Sequence, residues 1–211
     1  MGSIEVKLNK CKVDFAVGCG YKFLNGGPGA PAFIYVAKRH QKQALPILAG
    51  WMGHQDPFAF NDDYTPSPDI ARFRCGTPGI LGMAALECGV DLFAKTTLAD
   101  LRKKAIQLSR LFIELMEQEC GEFAFELASP IEDEKRAGHV AFRHVEGHGI
   151  YQAIKKEGVI SDFRTPNILR FGITPMYLRF QDIYKVVQLI KQVMKTKAWD
   201  KPAYKIRAAI T

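Results

Sequence analysis

Residues 20–31 (GYKFLNGGPGAP) hold four glycines and two prolines, a density that neither a helix nor a strand tolerates. They lie between two compact runs, 14–19 (DFAVGC) and 32–37 (AFIYVA), rich in aromatic and β-branched residues and read as two buried strands. A backbone turned so tightly between two strands is folded closely around something. Residues 39–79 then read mostly as loop, with Trp51, Phe58, Phe60, Tyr64 and Phe73 spread through them. Loops this long inside a compact domain are usually functional or lie at an interface.

From residue 80 the pattern changes. Residues 80–93 and 97–120 read as helices, and in the second Leu98, Leu101, Ala105, Leu108, Phe112 and Leu115 recur at three- and four-residue spacing. Thr97 with Asp100 resembles a capping box with Asp in place of Glu. Further on come strands at 123–127 and 139–144, a helix at 149–156, a short strand, a strand at 168–173 and a helix at 180–194. This predicts two domains, 1–95 and 96–211, the second a long helix leading into a small α+β domain.

The chain carries a net charge of +7 with a pI near 9.1, which invites a nucleic-acid reading. The distribution argues against it. Residues 181–211 contain Lys185, Lys191, Lys195, Lys197, Lys201, Lys205 and Arg207 against Asp182 and Asp200, so +5 of the +7 sits there. A C-terminal helix with lysines on its wet face explains that charge without a polyanion. No apolar run reaches the roughly 18–20 residues of a membrane span, and MGSIEVKLNK lacks the apolar core of a secretory signal. The five cysteines are scattered and form no C-x-x-C pair, which speaks against a disulfide scaffold or zinc ribbon and fits a reducing cytoplasm. His144 and His148 are four apart, but Gly147 and Gly149 are expected to break a helix there, and no carboxylate or thiol joins them. No metal site is expected.

Lys22 follows a strand and precedes NGGPG. Held out of water, a lysine has a depressed pKa, which suits imine chemistry; at a strand end it simply reaches solvent. The residues alone leave both readings open. They leave open as well whether Trp51 is a packed loop anchor or a ligand contact, and whether Arg170 makes a strand-end ion pair or grips an anion. The P-loop pattern G-x-x-x-x-G-K-[ST] is absent.

The segment DFAVGCGYKFLNGGPGAPAFIYV closely resembles the part of kynureninases that carries the lysine bound to pyridoxal 5′-phosphate (PLP). The resemblance continues through residues 50–54 (GWMGH), 74–78 (RCGTP) and 166–177 (PNILRFGITPMY) and covers essentially the whole chain in order. Related cysteine desulfurases typically have His where this chain has Tyr21. The resemblance implies an α/β fold: the C-terminal part of a PLP-dependent transferase-like large domain, with a mostly parallel sheet and helices, followed by the small α+β domain. It implies that Lys22 carries the cofactor and moves a proton at the substrate Cα, and that Tyr21 contacts the cofactor phosphate and serves as acid or base. It places Trp51 in the cofactor pocket, Thr77 at the phosphate, Arg170 on the substrate α-carboxylate and His54 beside the substrate ring. The implied reaction is hydrolysis of L-kynurenine, or its 3-hydroxy form, to an anthranilate and L-alanine. Whole members are about twice this length, so a complementary N-terminal chain, a homodimer or both are expected, and the sheet alone would expose a large apolar face. A non-catalytic fragment that only binds a partner, or another PLP lyase of the same fold, are the alternatives.

Overall fold

The computed structural model describes residues 2–206. The chain divides into two compact units between Thr97 and Leu98, and each is described by itself. Arg207, counted above in the basic C-terminal stretch, lies outside the described residues.

In the first unit β1 (Phe15–Cys19) and β2 (Ala32–Val36) pair antiparallel, Phe15 opposite Val36 and Cys19 opposite Ala32. The Gly20 N–H donates to the Pro31 carbonyl and the Gly26 N–H to the Gly20 carbonyl, each at 3.0 Å, so the glycine loop closes on its own neck. Among the described residues every ladder is antiparallel, so the mostly parallel sheet that the resemblance implies for the large domain is not represented by a parallel pair here. A parallel partner needs a crossover, commonly a helix, to return the chain to the same end, whereas residues 20–31 reverse it on the spot. The expected burial also fails in part. Val36 is buried, but Phe15, Val17 and Ile34, which share its face by register, are exposed, Val17 at 82%.

After β2 comes the single turn α1 (Lys38–Gln41), whose Arg39 and His40 both reach Asp14 Oδ1, at 2.5 and 2.6 Å. These two contacts, that of His40 first, hold the Asp14 carboxyl below its ordinary pKa. Short 3-10 turns at Trp51–Gly53 and Ile70–Phe73 interrupt the long loop. Then α2 (Ile80–Ala94) runs one residue beyond its predicted end. It leaves Ile80, Leu81, Met83, Val90 and Leu92 exposed, and a contiguous exposed apolar surface marks a contact face.

The second unit opens with α3 (Leu98–Cys120). Its stripe is buried as the periodicity predicts at Leu101, Ala105, Leu108 and Phe112, and continues through Met116; Leu98 stays exposed. The sheet is β3 (Glu126–Leu127), β4 (His139–Arg143), β5 (Asp162–Arg164) and β6 (Ile168–Gly172), in the order β3-β4-β6-β5. The strand predicted over 123–127 is cut to its last two residues, because residues 121–123 make a 3-10 turn and Ala124 takes a left-handed conformation (φ 57°) that ends extended pairing. Alternation along β4 and β6 sends Val140, Phe142, Leu169 and Phe171 into the core and keeps Arg143 and Arg170 on the other face. The Phe112 ring sits edge-on between Phe171 and Phe142, centroids 5.0 and 5.7 Å away.

Three more helices complete this unit: α4 (Gly147–Lys156), α5 (Phe180–Lys195) and α6 (Pro202–Lys205). The expectation that Gly147 and Gly149 break a helix is overturned, since both lie in the first turn of α4. First-turn N–H groups lack intrahelical acceptors whatever the residue, and close packing favours glycine there: a Cβ at Gly149 would lie 2.9 Å from the Trp199 carbonyl and one at Gly147 3.1 Å from that of Asn167. His144 stands just before the helix. Its Nδ1 accepts the Glu146 N–H at 3.0 Å, so Nε2 carries the proton and donates to the Phe123 carbonyl at 2.9 Å. On α5, Lys185 and Lys195 are exposed and Lys191 pairs with Glu119 at 2.5 Å, in keeping with a lysine-bearing wet face. No helix among the described residues is long and apolar enough to cross a membrane.

Two outcomes follow from this packing. Replacing Phe112 by Ala should destabilise the chain by about 3–5 kcal/mol, read from urea melts. At the start of α5 the Arg179 N–H donates to Asp182 at 2.9 Å and the Arg179 guanidinium engages both carboxylate oxygens, lowering the Asp182 pKa from 3.8 to about 2. The unfolded chain therefore takes up this proton first, and the stability Asp182 contributes above pH 4 is lost as pH falls towards 2. Thermal melts of Asp182→Asn should start lower at pH 6 and fall less steeply than wild type between pH 4 and 2.

Candidate active site

The loop bearing Lys22 rests on α2 backbone to backbone. A Cβ at Gly82 would lie 2.5 Å from the Gly29 carbonyl oxygen, and one at Gly89 2.0 Å from that of Leu24. Seven residues apart, the two glycines share one face of the helix. Between them the Leu86 methyls fill the space beside Gly20 and Gly26, within 2.8 Å of a Cβ at the first and 3.1 Å at the second. Asn25, Gly27 and Gly29 take positive φ to keep the loop flat on this face.

The loop's buried points are Gly20 and Gly26; Tyr21 and Lys22 are exposed. Lys22 Nζ lies 5.3 Å from the Tyr21 ring centroid, a contact worth about 0.5–1 kcal/mol at an exposed position. Of the two readings that the residues left open, the described chain has the lysine reaching solvent.

A second constellation forms in the long loop. A Cβ at Gly50 would fall 1.7 Å from the Cys75 carbonyl oxygen, and one at Gly53 2.7 and 2.8 Å from those of Arg72 and Arg74. The two strips thus run against each other with no room for side chains. This sets the Trp51 indole nitrogen 3.9 Å from a Cβ built on Gly76, the neighbour of Thr77, which is exposed. Arg72 secures the arrangement. Arg72 is 5% exposed, and its guanidinium donates to the carbonyls of Ser67 at 2.7 Å, Lys42 at 2.8 Å and Ala44 at 3.1 Å.

His54 lies where the loop closes, with the Gln55 N–H on the Thr65 carbonyl at 2.8 Å and the Ser67 N–H on that of Gly53 at 2.9 Å. Its Nδ1 is 2.9 Å from the Asp56 amide nitrogen and 2.7 Å from the Asp56 carbonyl oxygen, while Nε2 is buried without a partner. Such an atom is costly unless a ligand or water meets it. With Trp51, Asp56, Phe60 and Tyr64, His54 lines a hollow of about 340 Å³.

Arg170, in the second unit, realises the ion-pair reading: it pairs with Asp162, its cross-strand partner. Asp162 Oδ2 also accepts from Arg164 Nε at 3.0 Å. Burial, and next the charge of Arg170, lower the pKa of His139 on the same sheet.

The structure therefore groups Tyr21 with Lys22, and Trp51 with His54 and the strip before Thr77. Among the described residues no hydrogen bond or ring contact joins Lys22 to the second group. Sequence reasoning missed Arg72 and Asp162. Nothing local signals Arg72, whose acceptors are backbone atoms distant in sequence. Asp162 becomes visible only once the β5–β6 register is known. An exposed primary amine on a glycine-held loop, with a phenol, an indole and a hydroxyl on the same unit, is a donor set that suits an aldehyde cofactor bearing a phosphate.

Solved structures place this architecture in a class. A cysteine desulfurase from Thermococcus onnurineus NA1 matches 92% of the chain with a TM-score of 0.76 at 20% identity, over 50% of its own length. A cystine C–S lyase matches 90% with a TM-score of 0.74 at 16% identity, over 49% of its length. The chain thus has the mixed α/β fold of the C-terminal part of these enzymes, as the resemblance implied. Its sequence narrows the class further. Residues 101–190, which include Arg170, match the family model described as kynureninase C-terminal domain. Over 210 residues the chain is 44% identical to the kynureninase of Burkholderia mallei strain SAVP1 and 42% identical to that of Pseudomonas fluorescens. The chain is similar to kynureninases along its whole length, and it spans about half the length of the curated relatives it matches.

The backbone contact at Gly50 gives a direct expectation. Gly50→Ala, whose new methyl would overlap the Cys75 carbonyl, should speed tryptic cleavage within residues 42–76 and change the Trp51 fluorescence. Arg72→Met should do the same by leaving the carbonyls of Lys42, Ala44 and Ser67 without their donor.

Proposed function

We propose that the chain supplies the C-terminal half of a PLP-dependent hydrolase that cleaves L-kynurenine, or its 3-hydroxy form, to an anthranilate and L-alanine. The observation that carries the proposal is the 42–44% identity to kynureninases along all of this chain, in a chain whose Tyr21-Lys22 pair stands exposed on a glycine-held loop. In this reading residues 1–95 complete the cofactor-binding large domain and 96–211 form the linking helix and small domain.

PLP, when bound, supplies an electron sink for charge at the substrate Cα. Lys22 would provide the amine that holds the cofactor aldehyde and would move the proton at Cα. Tyr21 is the acid or base beside the cofactor phosphate and the substrate oxygens. Trp51 would pack against the cofactor and Thr77 would donate to its phosphate. His54 would line the place of the substrate ring, where its buried Nε2 would find a partner. Arg170 would take the α-carboxylate, for which a planar two-pronged donor is better suited than lysine. Overall one water adds across the Cβ–Cγ bond, its hydroxyl to the carbonyl carbon and its proton to Cβ.

The exposed apolar residues of the first unit, Leu81 at 88% and Val17 at 82% among them, support a covering partner: a complementary N-terminal polypeptide, with homodimerisation; the scattered cysteines fit a reducing cytoplasm. The same exposed apolar residues also favour a second reading, in which the chain serves only as an assembly partner. One assay separates the two. The chain, alone and mixed with a candidate N-terminal half, is incubated with PLP, reduced with borohydride and mapped by mass spectrometry, and the same samples are assayed for anthranilate release. Label on Lys22 with turnover in the mixture, both lost in Lys22→Ala, is expected. Label absent from Lys22 in every sample would overturn the enzymatic reading.

A further inference from the structure

Arg170 sits mid-strand in β6 on the face of the sheet away from the core, and only Asp162 pairs with its side chain among the described residues. The contact uses one amino group of the guanidinium. Asp162 is itself held by a second donor, since the same Oδ2 also accepts from Arg164 Nε at 3.0 Å. Both members of the Arg170–Asp162 pair are partly exposed, 38% and 39%, so a ligand can reach the guanidinium edge that Asp162 does not use. A planar guanidinium held along one edge presents the other as a ready two-pronged donor for a carboxylate, and fixing it beforehand removes part of the ordering cost of binding. Two arginines on one carboxylate also leave a net positive charge, which a second carboxylate would neutralise.

We propose that Asp162, braced by Arg164, is a positioning residue that holds Arg170 open for the substrate α-carboxylate. This rests on the reading of Arg170 as the carboxylate receptor. Asp162 does not touch the reacting atoms. Its effect falls on the affinity for the carboxylate and not on bond cleavage.

The test uses the turnover-competent mixture with two substrates, L-kynurenine and its amide, which lacks the carboxylate charge. Asp162→Asn should raise KM for L-kynurenine roughly fivefold, the scale of a partly exposed ion pair, with kcat within about twofold of wild type. It should leave kcat/KM for the amide unchanged, and Asp162→Glu should restore most of the loss. In the isolated chain the Arg170 guanidinium NMR signals, kept distinct while Asp162 stops rotation, should average in Asp162→Asn. Equal losses for the acid and the amide, or an unchanged KM for the acid, would overturn the proposal while leaving the receptor reading intact. An Arg170→Ala variant that still prefers acid over amide would overturn the receptor reading and this proposal together.

Discussion

The first unit depends on backbone meeting backbone. At Gly50, Gly82 and Gly89 a single methyl group would overlap or crowd a carbonyl of another segment, so the placement of two loops is settled by the absence of side chains. Interiors are packed densely enough that such contacts leave no slack. The Lys22 loop lies on the bare face of α2 because Gly82 and Gly89 recur at seven residues. The Trp51 strip lies against the 72–76 strip because Gly50 and Gly53 have no side chains. A core of interlocking apolar side chains does not do this work here, since few apolar residues of this unit are buried.

The second unit is built the other way. A stripe on α3, two apolar strand faces and one face of α5 enclose a continuous core around Leu108, Phe112, Leu169 and Val187. The polar sheet face that results carries Arg170, held at a fixed register position by β4 and β5. The two units thus present their chemistry differently. One offers an amine on a loop shaped by glycine, and the other an arginine on a rigid sheet.

Legibility in the sequence followed this contrast. Periodicity located α2, α3, α5 and most strands within a residue or two, because stripes such as Leu101–Ala105–Leu108–Phe112 record burial directly. The errors lie where local rules give way to tertiary contact. Gly147 and Gly149 look like helix breakers, yet they open α4 because Asn167 and Trp199 approach them. Ala124 carries no sign of its left-handed turn. Val17 and Ile34 look like core, yet Val17 is 82% and Ile34 41% exposed among the described residues. Among the candidate residues, Tyr21, Lys22, Trp51, His54 and Thr77 of the first unit and Arg170 of the second were all selected from motif text, whereas Arg72 and Asp162 depend on partners that only folding brings near.

The claim that glycine contacts on α2 set the Lys22 loop is tested most directly by PLP capture in Gly89→Ala. The added methyl would meet the Leu24 carbonyl at 2.0 Å and should lift the loop from α2. Borohydride-trapped label at Lys22, counted by mass spectrometry against the other lysines, is expected to lose its selectivity in the variant while the cooperative melt of the second unit persists. Undiminished selective labelling of Lys22 in Gly89→Ala would contradict the account.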